Sequence, residues 1–287
     1  MKIAYTQALH ELGDGLFDLR LTREMLETMR SVTDTRPIDQ AFNTHGDGDH
    51  CFGNQLLPAD VPIYATEAAA AAEEMRTVSP ALVHALFSQV DLGPEFDAFA
   101  ARTMRRFDFE GIEQRLPTET FAGRSGLTVG EREVELIEVG PAHTAGDAIL
   151  HVPGSGVVFT GDVLFIEGTP VMWAGPASNW LSASDRILDL VATVLVPGHG
   201  PVTDQSGVRD VQRYLTYVRD EARIRFDAGR DAEAAADDID ISAFADWGDP
   251  ERIAVNVVTL YREFDPSLPE VPPPMLFVRM AEWAARH

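Results

Sequence analysis

Lysine is nearly missing from this chain. Lys2 is the only one in 287 residues, so every other basic side chain bar histidine is an arginine. Acidic residues number 46 against 23 basic ones, a net charge of −23. Such a chain repels nucleic acid and anionic membranes, and neither is expected as a partner. The acidity is spread out rather than gathered in a tail, which is the pattern of a solvated surface. Cysteine is just as scarce. Cys51 stands alone, which excludes an intramolecular disulfide and fits a reducing cytoplasm. No apolar run approaches the roughly eighteen residues of a membrane span. The opening MKIAYTQALHELGDG has no apolar core or cleavage signal for secretion, so a cytoplasmic location is expected. Also lacking are a serine in a G-x-S-x-G setting and a glycine loop that would cradle phosphate. A serine hydrolase and a nucleotide-binding loop are therefore unsupported.

What is present is a chain that is 45% hydrophobic, long enough for one large domain or a domain with helical additions. Thr22–Arg30 reads as a short helix with Thr22 as its N-cap. Gln40–Thr44 reads as a short buried strand. Ala65–Met75, rich in alanine and glutamate, reads as helix, and Ser79–Gln89 and Glu95–Arg106 continue a helical section. The pattern then changes to period two over Glu133–Val139. Ala148–Val152 and Val157–Thr160 are strands joined by the turn Pro153-Gly154-Ser155-Gly156. Thr193–Val196 is a strand stopped by Pro197-Gly198. Val208–Phe226 and Glu251–Phe264 are amphipathic helices, the second with Pro250 suited to its first turn. Pro266–Pro274 holds five prolines and reads as a linker or strap. Leu276–Ala285 is a last helix with Leu276, Met280 and Trp283 on one face.

Four separated segments repeat one arrangement, a short apolar strand ending in glycine or proline and a metal-capable side chain. NTHGDGDH offers His45, Asp47, Asp49 and His50. VGPAHTAGD offers His143, VVFTGD offers Asp162, and VLVPGHG offers His199. Strand ends hold loops rigidly, which suits a preorganised site. Histidine with aspartate suits zinc, iron or manganese. His10, His84, His151 and His287 are read as ordinary surface or core residues, and Cys51 as a small buried hydrophobe at a helix start.

The order THxxxDH, GPAHT, TGD, PGHG resembles the metallo-β-lactamase fold superfamily, which includes β-lactamases, glyoxalase II-like thioesterases, lactonases and some aromatic polyketide cyclases. The resemblance runs from about Asp39 to Gly200 and continues weakly through the C-terminal helices. NTHGDGDHCFGNQ, ELIEVGPAHT and DWGDPERIAVNVVTLYREF look closest to its bacterial hydrolases and polyketide cyclase/thioesterases. The resemblance implies an α/β fold, a four-layer αββα sandwich with metals at one edge. Residues 1–204 would form that unit, with 65–118 as a helical insertion or lid. Residues 205–287 would be C-terminal helices and the Pro-rich strap packed on it. One metal would be held by His45, Asp47 and His143, the other by Asp49, His50 and His199, with Asp162 bridging. Asp49 and Asp47 are the candidate catalytic carboxylates. Two divalent ions are implied, zinc first. The reaction implied is hydrolysis of an ester, thioester or lactone of a small hydrophobic or aromatic substrate. Cyclisation of an aromatic polyketide, a mono-iron oxygenase and a non-catalytic binding protein are the alternatives.

Two departures stand out. Position 47 is histidine in most of the superfamily. With aspartate there, two divalent ions against three carboxylates leave one net positive charge, where histidine would leave two. That weakens Lewis acidity and shifts preference toward manganese or iron. Direct ligation by Asp47 is the working expectation. A carboxylate too short to reach, leaving the Asp49/His50/His199 set alone to fill, and a role orienting another ligand are the alternatives. The second departure is the short N-terminal stretch before Thr22, which implies a truncated first sheet. Its edge would need cover from a second subunit, giving a homodimer, or from the Pro-rich strap. After Asp162, residues Phe165, Met172, Trp173 and Trp180 are candidate walls of an apolar substrate pocket, or else ordinary core. Met75, Met104, Phe107 and Phe109 are read as core.

Overall fold

The computed structural model describes residues 19–72 and 78–287. Helix α1 (Leu19–Thr33) precedes β1 (Ala41–Phe42), α2 (Gly48–Cys51), β2 (Ile63–Thr66), α3 (Glu67–Ala71), α4 (Pro80–Gln89), α5 (Pro94–Arg102) and β3 (Glu119–Phe121). The three strands form one parallel sheet in the order β1-β2-β3. A second sheet runs β4 (Arg124–Val129), β5 (Arg132–Glu138), β6 (Ala148–Val152), β7 (Val157–Phe165) and β8 (Val194–His199) in chain order. It is antiparallel as far as β7 and parallel between β7 and β8, with α6 (Ala177–Asp189) as the crossover. Helices α7 (Gln205–Asp227), α8 (Ala232–Asp238), α9 (Ile253–Phe264) and α10 (Pro273–Arg286) follow.

Side-chain alternation on β5 and β6 builds the layers. Val134, Leu136, Ala148 and Leu150 point to one face and pack with Phe42, Tyr64 and Phe121 of the first sheet. Ile137, Val139 and Ile149 point to the other and join a large core with Trp180, Leu195, Tyr214, Val257 and Met280. The strands are thus apolar on both faces, because one faces a sheet and the other faces helices. This is an α/β sandwich with the two sheets inside.

Several elements differ from the sequence reading. Thr22 is not an N-cap. It lies inside α1, buried, with its side chain over Gly53. The strand expected over 40–44 is only two residues long. Of the helix expected over 65–75, Ala65 and Thr66 belong to β2. Thr66 then caps α3 by accepting from the Ala69 amide at 2.9 Å, while residues 73–77, Met75 included, lie outside those described. Strand β7 runs on to Phe165, and β8 passes through Pro197 to His199. Pro197 is tolerated because β8 is the edge of its sheet. Helix α6 has no counterpart among the expected elements, although Ala177, Trp180, Ala183 and Ile187 make a buried helical face. The N-terminal stretch before Leu19, on which the truncated sheet was argued, lies outside the described residues. Helix α10, which ends the Pro-rich strap, packs on α5 and α9. Among the described residues no helix is long and apolar enough to cross a membrane.

A buried amide pair fixes the loop after β1. Asn43 and Asn54 exchange hydrogen bonds at 3.2 and 2.9 Å. Asn43 also donates to the His50 carbonyl at 3.1 Å, and Asn54 to the Arg115 carbonyl at 3.1 Å. Replacing Asn54 with Ala strands these partners, so Asn54→Ala is expected to cost about 2 kcal/mol in urea unfolding. A loss below about 0.5 kcal/mol would show the pair to be dispensable.

Candidate metal centre

The NTHGDGDH segment crosses from β1 into the first turn of α2. Asp47 is the N-cap of α2, yet its side chain makes no capping hydrogen bond. The backbone holds the turn instead, the Asp47 carbonyl accepting from the amides of His50 at 3.0 Å and Cys51 at 3.1 Å. Its carboxylate is therefore turned elsewhere, with Oδ2 3.1 Å from His143 Nε2 and 3.9 Å from His45 Nε2. Asp162 lies within β7 in the second of two register shifts, which fall between Phe159 and Gly161 and between Gly161 and Phe165. Such irregularities re-aim a side chain. Gly161 has φ +49°, and a Cβ there would strike the Thr44 side chain, so glycine is required on both counts. Gly198 leaves room for the Asp162 carboxylate, which a Cβ would overlap. His199 is the last residue of β8.

The structure brings all seven side chains singled out in the sequence into one cluster. Asp162 is central, its carboxylate oxygens lying 3.7 Å from His45 Nε2, 3.2 Å from His50 Nε2, 3.2 Å from His143 Nε2 and 3.3 Å from His199 Nε2. Asp49 Oδ2 is 3.2 Å from His199 Nε2 and 3.4 Å from His50 Nε2. Ligand atoms converge in three groups: His45/Asp47/His143, Asp49/His50/His199 and His45/His50/Asp162. A tetrahedral zinc ion with bonds of about 2.0–2.1 Å sets its ligand atoms about 3.3 Å apart, close to these spacings. Two buried atoms, His45 Nε2 and Asp162 Oδ1, make no hydrogen bond of acceptable geometry. Asp162 Oδ1 faces His50 Nε2 at 3.2 Å without forming one. On donor chemistry and on these two orphaned atoms, the residues fit a pair of divalent cations.

Neighbours aim the imidazoles. His143 Nδ1 donates to the Val171 carbonyl at 2.7 Å, so that in the neutral ring it is the Nε2 lone pair that faces the cluster. Asp147, absent from the sequence reading, ties down the His143 loop. It accepts from the Ala142 amide at 3.0 Å, the Thr144 amide at 2.9 Å and the Thr144 hydroxyl at 2.8 Å. Its signal was its place in GPAHTAGD, four residues beyond the histidine. Phe165 stacks on His199 with ring centroids 5.1 Å apart. Trp180 presents an edge to His143 and donates Nε1 to the Val163 carbonyl at 2.9 Å. Phe165, Met172 and Trp180 are fully buried behind the cluster, and only Trp173 of the four candidate wall residues keeps surface. His151 is apart from the cluster, paired with Glu135 at 3.1 Å.

Charges within the cluster are coupled. Burial, then His50, lowers the pKa of His45 to about 4. Burial opposes a charge on His50, but Asp162 and Asp49 outweigh it and raise its pKa to about 10. Burial likewise opposes charge on His143, and Asp162 and Asp47 raise it to about 9. Burial works against ionised Asp162 and Asp49 too, yet the imidazoles hold both well below the usual carboxylate range. Without a cation, protons on His50 and His143 supply the positive charge the carboxylates need. Cations must displace those protons. Loading at pH 7 should therefore release about two protons, and affinity should climb with pH until about 9 to 10. Calorimetry in buffers of different ionisation enthalpy measures this, and uptake without proton release would contradict it. Gly198→Ala should displace Asp162 and lower metal content, whereas full occupancy in that variant would show the close approach to be slack.

The metallo-beta-lactamase superfamily model matches residues 15–199. A hydroxyacylglutathione hydrolase from Fuscovulum blasticum is 32% identical over 134 residues, 46% of this chain and 51% of that protein. A beta-lactamase-like protein 2 homolog from Caenorhabditis elegans is 35% identical over 77 residues, 27% of this chain and 25% of that one. The chain thus spans about half and a quarter of these relatives' lengths. Among solved structures, a stereoselective inverting sec-alkylsulfatase from Pseudomonas sp. aligns with TM-score 0.63 at 16% identity, over 91% of this chain and 47% of that one. That likeness is one of fold alone. With more than half its length matched by the family model, the chain belongs to the metallo-beta-lactamase superfamily.

Proposed function

We propose that this protein is a metal-dependent hydrolase that directs an activated water onto an ester, thioester or lactone of a small hydrophobic or aromatic acid. The observation that carries the reading is the gathering of six ligand-capable side chains around Asp162, in two sets of three with this carboxylate between them. In this reading His45, Asp47 and His143 would hold one cation and Asp49, His50 and His199 the other, with Asp162 available to both. Divalent ions held there would supply Lewis acidity, polarising a substrate carbonyl and acidifying water toward neutral pH. Zinc is the first candidate, with manganese or iron favoured by the extra carboxylate.

The side chains divide by depth. His45, His143 and Asp162 are almost wholly buried and act as anchors. Asp47, Asp49, His50 and His199 keep between 11% and 23% of their side-chain surface and form the rim that substrate meets. Asp49 Oδ2 faces the Nε2 atoms of both His50 and His199, and Asp47 Oδ2 faces that of His143, so each carboxylate and its imidazoles would share a cation. Trp173, whose amide is bonded to the His143 carbonyl at 3.0 Å and whose ring packs on Phe277 with centroids 5.5 Å apart, is the candidate wall residue that keeps surface. The relative named for hydroxyacylglutathione hydrolysis supports an acyl substrate.

Protein loaded with zinc or manganese should hydrolyse members of a thioester and lactone panel. Asp162→Ala and His199→Ala should lose bound metal and at least about a hundredfold in rate. Asp47→His should raise zinc occupancy, and unchanged stoichiometry would place Asp47 outside the coordination sphere. A fully loaded protein that turns over nothing in the panel would overturn the hydrolase reading. If it also bound a fused aromatic polyketide, the cyclase alternative would replace it.

A further inference from the structure

Helix α9 grips the segment on which His143 leans. Arg252, just ahead of it, donates to the Thr169 carbonyl at 2.8 Å. Asn256, 1% exposed, donates to the Pro170 carbonyl and accepts from the Met172 amide, both at 2.8 Å. Thr259 donates to the Met172 carbonyl at 2.7 Å. These three side chains are spaced i, i+4, i+7 and so lie on one helix face. Tyr214 of α7 accepts a further hydrogen bond from Asn256 at 3.0 Å and backs that amide. Between the gripped residues lies Val171, whose carbonyl takes His143 Nδ1. The contact is returned, because the amides of Trp173 and Ala174 donate to the His143 carbonyl at 3.0 and 3.1 Å.

We propose that Asn256, with Thr259, is a positioning residue: by fixing 170–172 it holds the Val171 carbonyl where it selects the His143 tautomer and aims Nε2 into the His45/Asp47/His143 set. This rests on the ligand assignment above. A ring whose outer nitrogen loses its acceptor is free to rotate or change tautomer, and loss of such an outer partner typically weakens metal binding about 10- to 100-fold. The effect is selective, since none of these hydrogen bonds reaches Asp49, His50 or His199.

Stepwise Co(II) binding, followed by its visible absorption against a competing chelator, tests this. The two steps are assigned by which is lost in His143→Ala and which in His199→Ala. Asn256→Leu and Thr259→Val should weaken the His143 step about 10- to 100-fold while the His199 step stays within about twofold. Thr259→Ser keeps the hydroxyl and should restore wild-type binding. Val257→Ala, which hollows the same helix at a fully buried position, should lower Tm and shift neither step. If Asn256→Leu does not fold, the Thr259 pair decides. Equal weakening of both steps, or no change in either, overturns the proposal while leaving the ligand assignment intact. Wild-type protein that takes up no metal overturns both.

Discussion

A carboxylate shut away from water has to be matched by positive charge, and Asp162 is such a carboxylate. It is 3% exposed and encircled by four imidazoles. Burial alone would neutralise it. Its ionisation is maintained by whatever positive charge the surrounding ring holds, protons in one state and cations in the other. Much of the local structure is arranged around that need. The ladder of β7 is interrupted to release Asp162, Gly161 and Gly198 keep the space around it clear, and Asp47 forgoes its capping bond to face His143.

The remainder of the fold keeps the ring from relaxing. Two sheets share a core through one face of β5 and β6, so the loops after β1, β5, β7 and β8 emerge at a common edge. Each imidazole whose outer nitrogen is placed has a definite partner. Thr44 serves His45 at 2.9 Å and the Val171 carbonyl serves His143. Behind the Val171 carbonyl is a helix contributed by the C-terminal part of the chain, which gives those helices a connection to the site as well as to the core.

The seven clustered residues are legible in the sequence because the four segments that carry them each join an apolar run to glycine or proline, although in the fold Asp162 lies inside β7 and Asp49 and His50 lie in α2. Neither Asn256 nor the Val171 carbonyl is legible in the sequence. A backbone acceptor leaves no trace in residue type, and Asn256 is 84 positions from the amide it binds. Trp180 follows Asp162 closely in sequence, which makes it a candidate pocket wall as well as a candidate core residue. Its place is set by the helical spacing of Ala177, Trp180, Ala183 and Ile187, which turns it into the core. β7 and β8 are longer than their sequence suggests, because glycine and proline that read as stops act there as bulge and edge residues. The period-two pattern on β5 gave the strand correctly, but not that both of its faces are covered.

X-ray absorption on the metal-loaded protein addresses the shared carboxylate most directly. The account predicts a metal–metal vector at about 3.5–4 Å, with nitrogen and oxygen ligands near 2.0–2.1 Å and the vector lost in Asp162→Ala. A single isolated ion, or a metal–metal vector that persists unchanged without Asp162, would contradict it.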